Sequence, residues 1–155
     1  LLFGDCKRMN AKPKTKWLRS PEYLAWVRTL PSVVSGQTGC VAHHLAGYGN
    51  RGNTKVHDFW TIPLTGNEHN LGVGSLHSGV ETWEARHGEQ WNHVASTLGR
   101  AIAVGVLKVL DLGAAEMETQ DFESNENYCN EVIELIDLGA IVVNKKAALG
   151  RENIF

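Results

Sequence analysis

The sequence predicts an α+β protein, mainly helical, built around two short strands. Three observations lead there. The 155 residues are the length of one ordinary domain, enough to bury about two thirds of the unfolded chain's surface. Two β-type runs, CVAHHL and FWTIPL, flank the glycine- and asparagine-rich stretch GYGNRGNTK. On either side of this pair, apolar residues recur at helical spacing.

Residues 1–16, LLFGDCKRMNAKPKTK, have no periodicity and place Pro13 between lysines, which predicts a basic, loosely ordered arm. Ser20-Pro21-Glu22 then reads as an N-cap, a proline in the first helical turn and an acid at the positive end of the helix dipole. Tyr23, Leu24, Val27 and Leu30 supply the apolar face, so a helix over about residues 21–29 is expected, ended by Pro31. The strand CVAHHL, an irregular loop and the strand FWTIPL follow. TGNEHN then opens a further helical segment, with Thr65 or Asn67 as its N-cap.

GVETWEARHGEQWNHVASTLGRAIAVGVLKVL reads as one or two helices. Trp83, His87 and Trp91 repeat at four, and Val94, Leu98, Ile102 and Val106 continue the stripe. The remainder reads as mostly helical: CNEVIELIDL is amphipathic, and AIVV is either a strand or a buried helix end. The predicted organisation is an arm at 1–16, a core at 17–97 and an acidic helical region at 98–155.

Formal net charge is −2, which argues against a general nucleic-acid coat. The average hides an asymmetry: seven basic residues against one acid between Lys7 and Arg28, and nine acids with no Lys or Arg between Asp111 and Asp137. Cys6, Cys40 and Cys129 are odd in number, widely spaced and without a CxxC pair, so neither a disulfide framework nor a cysteine zinc site is expected. The longest apolar run, around AIAVGVLKVL, is far short of the ~20 residues of a membrane span. A soluble protein of a reducing compartment, without a membrane partner, is the expectation.

Four of the seven histidines fall between Gly39 and Asn70. Adjacent side chains on a strand point to opposite faces, so His43 and His44 serve one site only at a strand end or bulge. Asp58, His69 and His77 lie where the second strand and the next helical segment would return to the pair. Neutral imidazoles with a carboxylate suit a borderline divalent cation, and an incomplete protein ligand set marks a catalytic site. A second imidazole off the metal can act as general base on water. Metal and base together suggest hydrolysis. For a phosphodiester, Arg51 and Lys55 in the glycine-rich loop would hold flanking phosphates.

These residues carry a resemblance. AHHLAGYGN, TKVHDFWTIPLTGNEHN and LH, in this order, resemble the ββα-metal (HNH) nuclease motif, and more closely its phage recombination-enhancement (Ref-like) branch. SPEYLAWVRTLP resembles the helix before the motif and ETWEARHGEQ the segment after it, so the similarity covers residues 17–91. The resemblance implies that His43 is a metal ligand, that His44 is the general base, and that Asp58 orients the base imidazole. It implies that His69 is the first ligand of the motif helix, with His77 the best match to the last. The implied cofactor is a divalent ion, Mg2+ or Mn2+ with Zn2+ also compatible.

The chain departs from the family pattern twice. Eight residues separate His69 from His77, ~12 Å along an unbroken helix, too far for two bonds of ~2.1 Å to one ion. Either Gly72 and Gly74 break the helix, or the site has two protein ligands. Relatives also carry a zinc knuckle where this chain has Pro31-Ser32-Val33-Val34-Ser35 and Leu64-Thr65, so no structural zinc is expected and Cys40 reads as a small buried hydrophobe. His87, in the RHG segment, is a further candidate to complete the site, although its place in a Trp-flanked helical stripe favours packing. The function implied is a metal-dependent DNA endonuclease of phage or prophage recombination or DNA processing, in the cytoplasm of a bacterial host cell. Its partners would be DNA and a recombinase or other phage DNA-processing protein. The alternative is a non-cleaving DNA- or protein-binding module on the same scaffold.

Overall fold

A computed structural model describes residues 16–47, 55–110 and 122–150. Helix α1 spans Pro21–Arg28, one residue shorter than the sequence suggests. The Ser20 hydroxyl accepts the Tyr23 N–H at 3.2 Å, and Pro21 sits where a missing N–H costs nothing. The helix buries Tyr23, Trp26 and Val27.

The chain then turns into β1 (Val41–His44), antiparallel to β2 (Thr61–Leu64), with Val41 opposite Leu64 and His44 opposite Thr61. All four residues of β2 are buried, so this strand is the floor on which the helices pack. Pro63, which has no N–H to donate, still accepts from Val33 N at 3.1 Å. Past β2, Thr65 and Glu68 form a reciprocal cap: Glu68 Oε2 accepts the Thr65 N–H at 2.8 Å and Thr65 Oγ1 accepts the Glu68 N–H at 3.3 Å. This cap opens a single π-helical turn over Asn67–Leu71, followed by a 3-10 turn over Leu76–Ser78.

The long periodic stretch is two helices, α2 (Val80–His87) and α3 (Gln90–Ala103). The helical stripe does not continue to Leu110. Gly105, at φ +78, takes the left-handed conformation that terminates a helix. Leu107–Val109 forms β3, antiparallel to β4 (Ile141–Val143) with Leu107 opposite Val143, and AIVV resolves as strand. The C-terminal region is therefore not wholly helical: a two-stranded sheet stands beside α4 (Asn125–Asp137) and α5 (Lys145–Ala148).

One apolar core joins Tyr23 and Val27 of α1, Ile62 and Leu64 of β2, Leu98 and Ala101 of α3, and Cys129 and Val132 of α4. The expected boundary after residue 97 falls inside α3, and both sides share that core. Trp60 and Trp91 meet edge to face at 5.0 Å, and the Trp60 indole donates to the Cys129 carbonyl at 3.4 Å. Together these contacts clamp the hairpin between α3 and α4. No helix among the described residues is long and apolar enough to cross a membrane.

Candidate metal centre

The pairing of β1 with β2 is regular through His43 and His44, which face Ile62 and Thr61, so no bulge re-aims either imidazole. His44 is instead the last residue of β1, so the pair sits at a strand end, where the two imidazoles take different partners. His43, 2% exposed, joins His69 and His77; His44 joins Asp58.

The ligand nitrogens of His43, His69 and His77 all lie within 4.8 Å of one another. His69 Nε2 and His77 Nε2 are 3.0 Å apart, and the ring centroids of His43 stand 5.1 and 5.2 Å from those of His69 and His77. Two nitrogens bound tetrahedrally to one ion at about 2.05 Å would be about 3.4 Å apart, so the His69–His77 spacing suits a shared divalent ion. Of the two ways to accommodate the eight-residue gap, the chain takes the first. The π-helical turn ends at Gly72, whose N–H donates to the Asn67 carbonyl at 2.8 Å. A Cβ on Gly72 would stand 2.6 Å from that oxygen, and Gly74 sits at φ +75, so both glycines are needed for the reversal.

Two of the three donors, His43 and His69, are shifted toward the neutral form a metal requires. Burial pushes the His43 pKa down to about 3, and burial followed by the neighbouring His77 lowers that of His69. Gln90, fully buried at the start of α3, fixes the His43 tautomer. Its Oε1 accepts the Ala46 N–H and its Nε2 donates to the Ala46 carbonyl, both at 3.0 Å, which orients the amide. The same Oε1 lies 3.1 Å from His43 Nε2, so that nitrogen is the donor. Nδ1 of His43 keeps its lone pair for an ion. Glu84 Oε1 accepts from Gln90 N at 3.1 Å and from Gln90 Nε2 at 3.3 Å, completing the outer support. Sequence reasoning missed Gln90, a neutral amide with no local signal beyond its place at the end of ETWEARHGEQ.

At the end of β1, His44 Nε2 lies 2.8 Å from Asp58 Oδ1. The carboxylate also accepts from Arg19 Nη1 at 3.1 Å and from the Ser20 backbone N–H at 2.9 Å, which ties the start of α1 to the site. Burial raises the Asp58 pKa, but the hydrogen bonds from His44 and Ser20 and the Arg19 guanidinium outweigh it, and the acid stays ionised. Burial lowers the His44 pKa more than Asp58 raises it. His44 is thus neutral near pH 7, its Nε2–H donated to Asp58 and its Nδ1 available as a proton acceptor.

Lys55 is exposed and near enough to His44 to depress its pKa further, while its carbonyl accepts from Arg19 Nη2 at 2.9 Å. Arg51 and most of the 1–16 arm lie outside the described residues. His57 takes a structural part: its Nδ1 accepts the Leu18 N–H at 3.0 Å and its ring packs edge-on against Trp17 and Trp60. His87 stacks against Trp83 at 5.1 Å, outside the three-histidine group.

In the turn at residues 31–35, Ser32 Oγ accepts the N–H groups of Val34 at 3.0 Å and Ser35 at 3.2 Å and donates to Glu68 Oε2. A serine-carboxylate latch thereby joins this turn to the one bearing His69. Cys40 is buried beside it, with Sγ 3.4 Å from the Gln37 carbonyl, and burial and then Glu68 raise its pKa, which keeps it a thiol.

Fold and site together define a small α+β protein whose β-hairpin carries a histidine-rich candidate metal centre. The chain belongs to the family described as "Protein of unknown function (DUF968)", which matches residues 7–105. That match spans α1 through α3 and takes in His43, His44, Asp58, His69, His77 and Gln90. The "Uncharacterized protein YdfU" of Escherichia coli (strain K12) is 33% identical over 100 residues, covering 64% of this chain and 27% of the relative. The chain thus spans about a quarter of the length of that curated relative. No solved structure matches it.

Proposed function

We propose that the protein is a metal-dependent DNA endonuclease of the HNH (ββα-metal) type, acting in phage or prophage recombination or DNA processing. One observation carries the reading: three imidazoles converge on one point while the adjacent His44, one residue along β1, is held by a buried carboxylate. A structural metal site has no use for a second, oriented, neutral imidazole, whereas hydrolysis of a phosphodiester does.

His43, His69 and His77 would hold the ion, and three imidazole donors favour Zn2+ or Mn2+ over Mg2+, which prefers oxygen donors. A divalent ion there supplies charge stabilisation at the phosphoryl group. His44 Nδ1 takes the proton from water. Asp58, kept ionised by Arg19 and the Ser20 N–H, holds the imidazole through Nε2–H and stabilises its protonated form. Lys55, exposed beside His44, contacts a neighbouring phosphate. DNA is the substrate, and a recombinase or other phage DNA-processing protein is the partner that would deliver it.

The test is cleavage of supercoiled plasmid and single-stranded circles by wild type, His44→Ala and Asp58→Asn, with Mg2+, Mn2+, Zn2+ or EDTA. Wild type should cut with a metal and not in EDTA. Both variants should lose about 10²–10⁴-fold in rate, the usual worth of a general base, while still binding metal. Cleavage that persists in EDTA or in His44→Ala overturns the mechanism, and no cleavage by wild type with any metal overturns the function in favour of a non-cleaving DNA-binding module.

A further inference from the structure

The loop that carries His77 leads directly into a small cavity of about 100 Å³ between the 3-10 turn and α2. Gly74, Ser75, Ser78, Thr82, Trp83 and Arg86 line it. Three of these bear hydroxyls, one is a guanidinium, and none is a carboxylate. Ser75 is 2% exposed; its hydroxyl lies 3.3 Å from that of Ser78, which in turn bonds the Ser75 carbonyl at 2.6 Å. The Trp83 indole, 2% exposed, is a rigid apolar floor.

Arg86 is the cation of this cavity. Arg19 is committed to Asp58, but Arg86 makes no ion pair among the described residues. Its Nη1 lies 3.2 Å from the point a Cβ on Gly74 would occupy, so the glycine is what lets the guanidinium close over the loop backbone. Ser75 and Ser78 flank the Leu76–His77 pair in sequence, so the cavity shares the 3-10 turn that carries one histidine of the cluster. The two serine hydroxyls donate within the turn, which leaves the Thr82 hydroxyl and a guanidinium with no carboxylate in the lining to meet a tetrahedral oxyanion, whose oxygens the planar fork can take two at once.

We propose that this cavity is a phosphate-binding subsite for the nucleic-acid strand, with Arg86 as its principal contact and Thr82 as an auxiliary donor. The inference rests on the nuclease reading and adds to it: the strand is gripped from the α2 side of the metal centre, through its backbone and without regard to sequence.

The experiment is DNA binding in EDTA, where no cleavage occurs, by fluorescence anisotropy of a short labelled duplex and the matching single strand over a salt series. Arg86→Ala should weaken binding on the order of tenfold, equally for unrelated sequences, and reduce the slope of log K against log salt by about one contact's worth, 0.7–0.9. Arg86→Lys should restore the slope and only part of the affinity. Arg100→Ala, an exposed arginine on α3, should leave both unchanged. Unaltered affinity and slope in Arg86→Ala, or no DNA binding by wild type, overturns the subsite. If wild type cuts plasmid and Arg86→Ala binds normally, the subsite fails and the nuclease reading stands. If no metal supports cutting but the Arg86→Ala slope loss is present, the nuclease reading fails and the subsite stands as a DNA contact.

Discussion

His69 Nε2 and His77 Nε2 lie 3.0 Å apart across eight residues of chain, closer than any helix joining them would allow. The contact exists because the π-helical turn bearing His69 stops at Gly72 and the backbone reverses through Gly74. His43 meets the pair from β1, so three separately folded pieces of chain must agree before the cluster forms.

Metal affinity should therefore depend on all three histidines and on the turn that gathers them. Calorimetric titration with Zn2+ and Mn2+ should find one site in wild type. His77→Ala should weaken it by more than the roughly 10–100-fold typical of losing an outer partner, and Gln90→Ala should fall within that range, since it removes the acceptor that orients His43. Gly72→Ala, whose Cβ would meet the Asn67 carbonyl at 2.6 Å, should weaken binding without touching a ligand. Undiminished affinity in His77→Ala would remove His77 from the site.

What was legible in the sequence follows from which interactions are local. His43, His44 and His69 could be picked out because they sit on short elements whose side-chain directions follow from period two or from a cap, and Asp58 because it directly precedes the second strand run. The return of His77 stood as one of two alternatives, since a continuous helix differs from it only in the dihedrals of Gly72 and Gly74. Gln90 was invisible for another reason: its bonds to Ala46 and His43 span 44 and 47 residues and leave no local pattern. At residues 107–109 a local pattern misled. Val94, Leu98, Ile102 and Val106 keep a helical period past Gly105, but pairing with Ile141–Val143 overrides it.

The latch between Ser32 and Glu68 should behave as one unit. Ser32→Ala removes the acceptor of two N–H groups and the donor to Glu68, so a loss of about 1–3 kcal/mol is expected in urea unfolding. Glu68→Gln should cost less, because the amide oxygen can still accept the Thr65 N–H. The double variant should fall short of the sum by at least about 0.5 kcal/mol, the signature of residues in one network. Strict additivity would mean that the two turns are held independently.

Acid should destabilise the metal-free protein well above the pH at which carboxylates titrate. Burial pushes the pKa of His43 down to about 3 and that of His57 down to about 4, against about 6.5 for the imidazole of an unfolded chain. In both cases the folded value is the lower one. Between the two values the unfolded chain binds more protons, so stability rises with pH. The contribution is complete above about pH 6.5 and is lost as pH falls toward the folded values, at up to about 1.4 kcal/mol per pH unit for each group. Asp58, also lowered, adds its loss only below the ordinary carboxylate range near about 4. Urea midpoints measured in EDTA should be level above about pH 7 and fall steadily below about pH 6. In His57→Gln, whose amide can still accept the Leu18 N–H, the fall should be shallower by one proton's worth. A midpoint that holds constant down to about pH 4.5 would mean that both imidazoles take up protons without leaving the fold, and would contradict their burial as the source of the shift.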